Sequence, residues 1–89
     1  MDAYRILIKT SAGKELERLG NKSDRARIVE RIRRLADDPR PPGSEKLAGF
    51  HDRFLVRQGN YRIVYLVDDG RREVTVFKVG DRKDVYRSP

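Results

Sequence analysis

One heptapeptide, Asp38-Pro39-Arg40-Pro41-Pro42-Gly43-Ser44, constrains this chain more than any other stretch. Proline has no backbone N–H and a fixed φ, so the segment ends any helix before it and cannot join a sheet ladder. The pattern changes character across it, with helical spacing of apolar residues upstream and β-rich runs downstream. A chain of 89 residues usually holds one core, so both sides must share it, as a single domain spanning residues 1–89. A helical part packed on one face of a sheet satisfies that requirement, which gives an α+β class.

Upstream, Tyr4 to Lys9 is a β-rich run with little helical period, and Thr10-Ser11 follows as a capping pair. Ala12, Leu16 and Leu19 then recur at helical spacing until Gly20-Asn21, a common stop signal. From Lys22 to Asp37 the residues Ile28, Val29, Ile32, Leu35 and Ala36 form one apolar stripe. Arg25, Arg27, Glu30, Arg31, Arg33 and Arg34 lie largely around it, as a solvated face. Downstream come three strand-like runs, Arg53 to Gln58, Tyr61 to Val67 and Glu73 to Val79. Gly59-Asn60 and Asp69-Gly70 separate them and suit tight reversals that need positive φ. The order is β-α-α-β-β-β: an antiparallel sheet that the N-terminal strand extends, packed against a helical hairpin. The tail from Asp81 to Arg87 reads as a loop or single helical turn folded back on the sheet.

Charge narrows the partners. Lys+Arg 21 against Asp+Glu 14 gives a net charge of +7, and fifteen of those cations are arginine. Such an excess favours polyanions, and arginine's bidentate fork leans it towards nucleic acid. There is no Cys and a single His51, so disulfide, thiolate and zinc-finger chemistry are ruled out; no metal or cofactor is expected. His51 receives no role. The N-terminal run MDAYRILIKT fits neither a secretory signal nor a membrane span, so a cytoplasmic protein with no membrane partner is expected.

Period two in the third run puts Tyr61, Ile63, Tyr65 and Val67 on one face, with Arg62, Val64 and Leu66 on the other. Arg62 is thus a cation within an apolar strand. The ordinary reading is a strand-end cation paired with a carboxylate; the functional reading is a side chain projecting into a groove to hold phosphate. Arg53 and Arg57 on the preceding run, with Arg82, Lys83 and Arg87 on the tail, could join it in an anion site. Tyr86, beside those tail cations, reads as a packing anchor or as a group that stacks on a base or transfers a proton.

These residues carry a family signal. Leu47-Ala48-Gly49, the run Phe54-Leu55-Val56-Arg57-Gln58-Gly59-Asn60-Tyr61-Arg62-Ile63-Val64-Tyr65 and the segment from Val79 to Arg87 together resemble the RelE/ParE superfamily of toxins. The resemblance spans nearly the whole chain. It implies the toxin of a type II toxin–antitoxin pair and, in the favoured RelE branch, a ribosome-dependent endoribonuclease that cuts messenger RNA in the ribosomal A site and inhibits translation. The alternative is a ParE-like toxin that poisons DNA gyrase by binding, with no nuclease activity.

By the same resemblance Arg62, Arg82 and Tyr86 are the catalytic candidates, with Arg53, Arg57, Lys83 and Arg87 binding substrate. Leu55 departs from the pattern, standing where many members have Lys or Arg. The chemistry implied is attack of a ribose 2′-hydroxyl on the adjacent phosphate without metal. That reaction needs a base, cations facing the phosphorane and an acid for the leaving oxygen. An acidic antitoxin is the implied partner, alongside ribosome and messenger RNA, and the toxin–antitoxin complex is expected to bind operator DNA chiefly through the antitoxin.

Overall fold

The structure, a computed structural model, describes residues 3–50 and 52–81. Along them run β1 (Arg5–Ile8), α1 (Thr10–Glu17), α2 (Lys22–Arg34), β2 (Glu45–Lys46), β3 (Arg53–Gln58), β4 (Tyr61–Asp68) and β5 (Glu73–Asp81). The proline-rich heptapeptide lies between α2 and β2, free of regular structure, as its chemistry requires.

Thr10 and Ser11 do not cap α1, contrary to expectation. Both lie inside the helix, and the N-cap position falls on Lys9, which offers no side-chain cap. Asn21, expected to stop the first helix, instead caps the second: its side-chain oxygen accepts the amide of Asp24 at 3.1 Å. The second helix ends at Arg34, short of Asp37. There the amides of Leu35, Ala36 and Asp37 turn to carbonyls three residues back, tightening the last turn ahead of Pro39.

The sheet has five strands in the order β1-β5-β4-β3-β2. The extra strand, β2, is two residues long, too short to show a period, and pairs antiparallel with β3. The sheet is also mixed rather than wholly antiparallel, because β1 runs parallel to β5, with Ile6 opposite Val74 and Ile8 opposite Val76. Parallel neighbours need a long crossover, and everything from α1 to β4 supplies it. The three-stranded meander β3-β4-β5 forms as expected.

Gly59 takes positive φ (61°) in the first reversal. In the second, the left-handed residue is Arg72 (φ 54°) rather than Asp69 or Gly70. The side chain of Asp68 accepts the amide of Arg71 at 3.0 Å, holding the start of that turn in an ordinary conformation and leaving the reversal to its last residue.

Both helices cover one face of the sheet. Ala12, Ile28, Ile32 and Leu35 meet Phe54, Val56, Ile63, Tyr65, Val67, Val74, Val76 and Val79 in the main core. A bulge in β5 makes this possible: Val64 faces Lys78 while Tyr65 faces Val76, so Phe77 is the extra residue and Val79 returns to the helix side. Glu15 of α1 pins the bulge, accepting the amide of Val79 at 2.9 Å and pairing with the Lys78 ammonium at 3.0 Å.

At the opposite end the heptapeptide is tied down twice. The Tyr65 hydroxyl donates to the Pro39 carbonyl at 2.6 Å, and Arg40 grips Asp69 through both guanidinium nitrogens, at 2.6 and 3.2 Å. Among the described residues, no helix is long and apolar enough to cross a membrane.

Candidate active site

Among the described residues, the second face of the sheet carries no helix. At its centre is a small apolar floor: Leu55 (1% exposed) and Val64 (4%), flanked by Leu47 and Phe77. The cations of β3 and β4 surround this floor, since Arg53 and Arg57 alternate with core-facing Phe54 and Val56 while Arg62 shares the parity of Val64.

Arg62 is the outlier. Its side chain is 6% exposed, the one charged group among the buried described residues. No carboxylate among the described residues pairs with it, so within them nothing answers to the ordinary reading of a strand-end ion pair. Its Nη1 makes a long 3.4 Å bond to the Tyr61 carbonyl, and its Nε is buried without a partner. Across β3 it faces Arg57, and across β5 it faces Gly80, which offers no side chain to answer it. Burying a charge beside a like charge costs stability unless an anion completes the site. The arrangement is therefore suited to an oxyanion such as a phosphate.

Arg57 is half exposed and pairs with Glu45 of β2 at 3.1 Å. A solvated pair of this kind contributes little stability, so the carboxylate can give way to an anion at low cost. Arg53 is placed differently. Its guanidinium stacks over the ring of Phe50 at 4.3 Å and approaches that of Phe77 at 5.0 Å. Leu55 lies between these two arginines along the strand as part of the floor, so the position that many family members fill with a cation is apolar here.

The structure thus places Arg57 and Arg62 opposite each other and Arg53 on the same face at the far end of β3. Arg82, Lys83, Tyr86 and Arg87 lie outside the described residues, as does His51. The described chain of β5 ends at Asp81, one residue past the Gly80 that faces Arg62. The helical arginines are mixed in character: Arg27, Arg33 and Arg34 are exposed, as a solvated face requires, whereas Arg25 and Arg31 are half-buried and the Arg31 Nε is enclosed without a partner.

Sequence reasoning missed Phe50, Phe77 and Glu45. Phe50 carried a signal, being the one large aromatic in a loop of small and polar residues. Phe77 did not, because its placement depends on the bulge.

Elsewhere, Arg40 and then Tyr4, whose hydroxyl donates to Asp69 at 2.5 Å, hold the Asp69 carboxyl below its ordinary range. Burial pushes the Tyr65 phenol up to about 12. Both tyrosines are thereby committed to structural bonds and do not face the arginine-lined surface.

A mixed five-stranded sheet with a helical pair on one face is the architecture of solved RelE toxins. Residues 6–86 match the family described as the ParE toxin of type II toxin-antitoxin system, parDE, and the chain belongs to that family. Its similar relatives carry the names RelE and RelG. It is 31% identical over 87 residues to the toxin RelE of Mycobacterium tuberculosis, covering 94% of this chain and 87% of that one. The crystal structure of the isolated E. coli RelE toxin superposes with a TM-score of 0.78 at 30% identity, covering 96% of this chain and 93% of the other. The toxin-containing archaeal RelE–RelB complex from Pyrococcus horikoshii OT3 gives 0.80 at 28% identity, covering 90% and 96%.

Proposed function

We propose that residues 1–89 act as one toxin domain, a cytoplasmic ribosome-dependent endoribonuclease that cleaves messenger RNA in the ribosomal A site and so inhibits translation. The observation that carries this reading is Arg62, a buried cation with no carboxylate partner among the described residues, facing Arg57 on the side of the sheet away from α1 and α2. A toxin acting only by docking to gyrase gains nothing from such a residue, whereas phosphate chemistry does. The RelE names of the similar relatives support the same choice.

In the reaction, the ribose 2′-oxygen forms a bond to the adjacent phosphorus, and the bond from phosphorus to the 5′-oxygen breaks. The products are a 2′,3′-cyclic phosphate and a free 5′-hydroxyl. Arg62, with Arg57 released from Glu45, faces the charge that develops on the non-bridging oxygens. Tyr86 accepts the 2′-hydroxyl proton or stacks on the flanking base, and Arg82 clamps the phosphate or protonates the leaving oxygen. Lys83 and Arg87 hold the RNA backbone. Arginine is a poor proton donor, so much of the rate comes from charge stabilisation and from the ribosome's positioning of the messenger. Naked RNA is accordingly a poor substrate.

The partner in the cell is an acidic antitoxin, as the solved RelE–RelB complex suggests for this chain too. Binding of operator DNA by that pair rests mainly on the antitoxin. The reading is tested by mixing the protein with ribosomes programmed with messenger RNA and mapping cuts by primer extension, beside Arg82→Ala and Tyr86→Phe. Cuts confined to the A site and lost in the variants are expected. Intact transcripts together with inhibited supercoiling in a gyrase assay would favour the docking toxin instead.

A further inference from the structure

We infer that Phe50, held by Arg53, is a stacking platform for a nucleobase of the bound RNA strand, a contact that anchors the strand at a distance from the cleaved phosphate. The inference deepens the nuclease reading and rests on it.

Phe50 is 40% exposed, one of few large apolar side chains left open to solvent. It is not loosely held. Its amide donates to the Leu47 carbonyl at 3.2 Å, closing a turn whose Gly49 has φ 84°, and the Leu47 amide donates to the Arg53 carbonyl at 3.0 Å. The loop is thus stitched to β3. The guanidinium of Arg53, 4.3 Å from the Phe50 ring centroid and 5.0 Å from that of Phe77, bridges the two rings. Phe77 in turn rests on the Leu55 and Val64 floor.

Phe50 is therefore backed by a cation, which is backed by a second ring and then by the core. An exposed π-face fixed in this way beside a basic strand is what single-stranded nucleic acid uses: bases stack on aromatics while arginines neutralise phosphates. Arg53 and Arg57 are about 13 Å apart along the strand at roughly 3.3 Å per residue. A base on Phe50 therefore lies away from the phosphate held by Arg57 and Arg62, where it adds affinity for the strand rather than acting on the bond that breaks.

The test uses the full chain and a short single-stranded RNA, 2′-O-methylated to prevent cutting, with 2-aminopurine placed at successive positions. Stacking quenches this base. For the wild type, quenching is expected at one position. In Phe50→Leu, which keeps the apolar bulk but lacks a π-face, the quench should vanish and binding weaken about tenfold; Phe50→Trp should restore both. Quenching and affinity in Phe50→Leu equal to wild type overturn the platform. So does a loss of antitoxin binding with RNA binding untouched, which would assign Phe50 to that protein interface. Wild type that binds no RNA overturns it as well. Programmed ribosomes separate the two levels: A-site cutting that persists while the stacking result fails leaves the nuclease reading standing, and absent cutting sinks that reading itself.

Discussion

Arg57 and Arg62 stand directly opposite each other on neighbouring strands, and among the described residues only the first has a carboxylate partner, Glu45. Like charges so placed oppose folding, and a buried guanidinium nitrogen without a partner adds to the cost. On the proposed function, the pair would hold an anion at the expense of stability.

Arg62→Met removes the buried charge and keeps most of the volume. We expect the melting temperature to rise, by about 4–8 °C for each kcal/mol recovered in a domain this small. Cleavage on programmed ribosomes should fall at least about a hundredfold, in line with the loss of a donor to a developing oxyanion. Thermal melts and cleavage rates on the same preparation check the opposition.

Leu55→Lys places a cation where many relatives have one. Leu55 is buried against Val64, Leu47 and Phe77, so the change should cost about 1–3 kcal/mol, reduced insofar as the lysine stem follows the floor outward. RNA binding should tighten and its dependence on log salt steepen by about one unit, the mark of one more phosphate contact. Denaturant melts and a salt titration of affinity report the two effects separately.

How much of this was legible in the sequence follows from which forces act locally. The meander, the helical pair and the facing of Arg62 away from Tyr61, Ile63 and Tyr65 were readable because period and turn chemistry are local. The parallel pairing of β1 with β5, the two-residue β2 and the bulge at Phe77 were not, since each is decided by tertiary packing. For the same reason the arginines were found, while the aromatic partners that hold Arg53 were missed. The cap of the first helix was misassigned because Lys9 takes the N-cap conformation while its amide donates to Val76 in the sheet.

Tyr65→Phe deletes the bond to the Pro39 carbonyl and should cost about 1–3 kcal/mol, as expected for a buried acceptor left bare. In the wild type, burial raises the phenol from 10.0 to about 12, so the stability it contributes is full below 10 and is lost as pH rises through that interval. The wild type should therefore lose stability in alkali across this range and Tyr65→Phe should lose less, measurable as melting temperature against pH.

Asp69 gives the opposite sign. Its carboxyl is depressed below 3.8, first by Arg40 and then by Tyr4, so its contribution is complete above that value and declines as pH falls below it. Asp69→Asn should flatten the acid limb of the stability profile and, because Asp69 also holds the Tyr4 phenol above its ordinary value, soften the alkaline limb as well. Melts between pH 2 and pH 6 decide it.

The central claim is that the arginine-lined open face of the sheet performs RNA cleavage through the 2′-hydroxyl. The most direct measurement is the single-turnover rate and end chemistry of messenger cut on programmed ribosomes, for wild type and Arg62→Lys. A-site cuts ending in a 2′,3′-cyclic phosphate and a 5′-hydroxyl are expected, with the rate reduced in Arg62→Lys, because a point charge replaces the planar fork. A rate unchanged in Arg62→Lys and in Arg62→Met, or products bearing a 5′-phosphate, would contradict it.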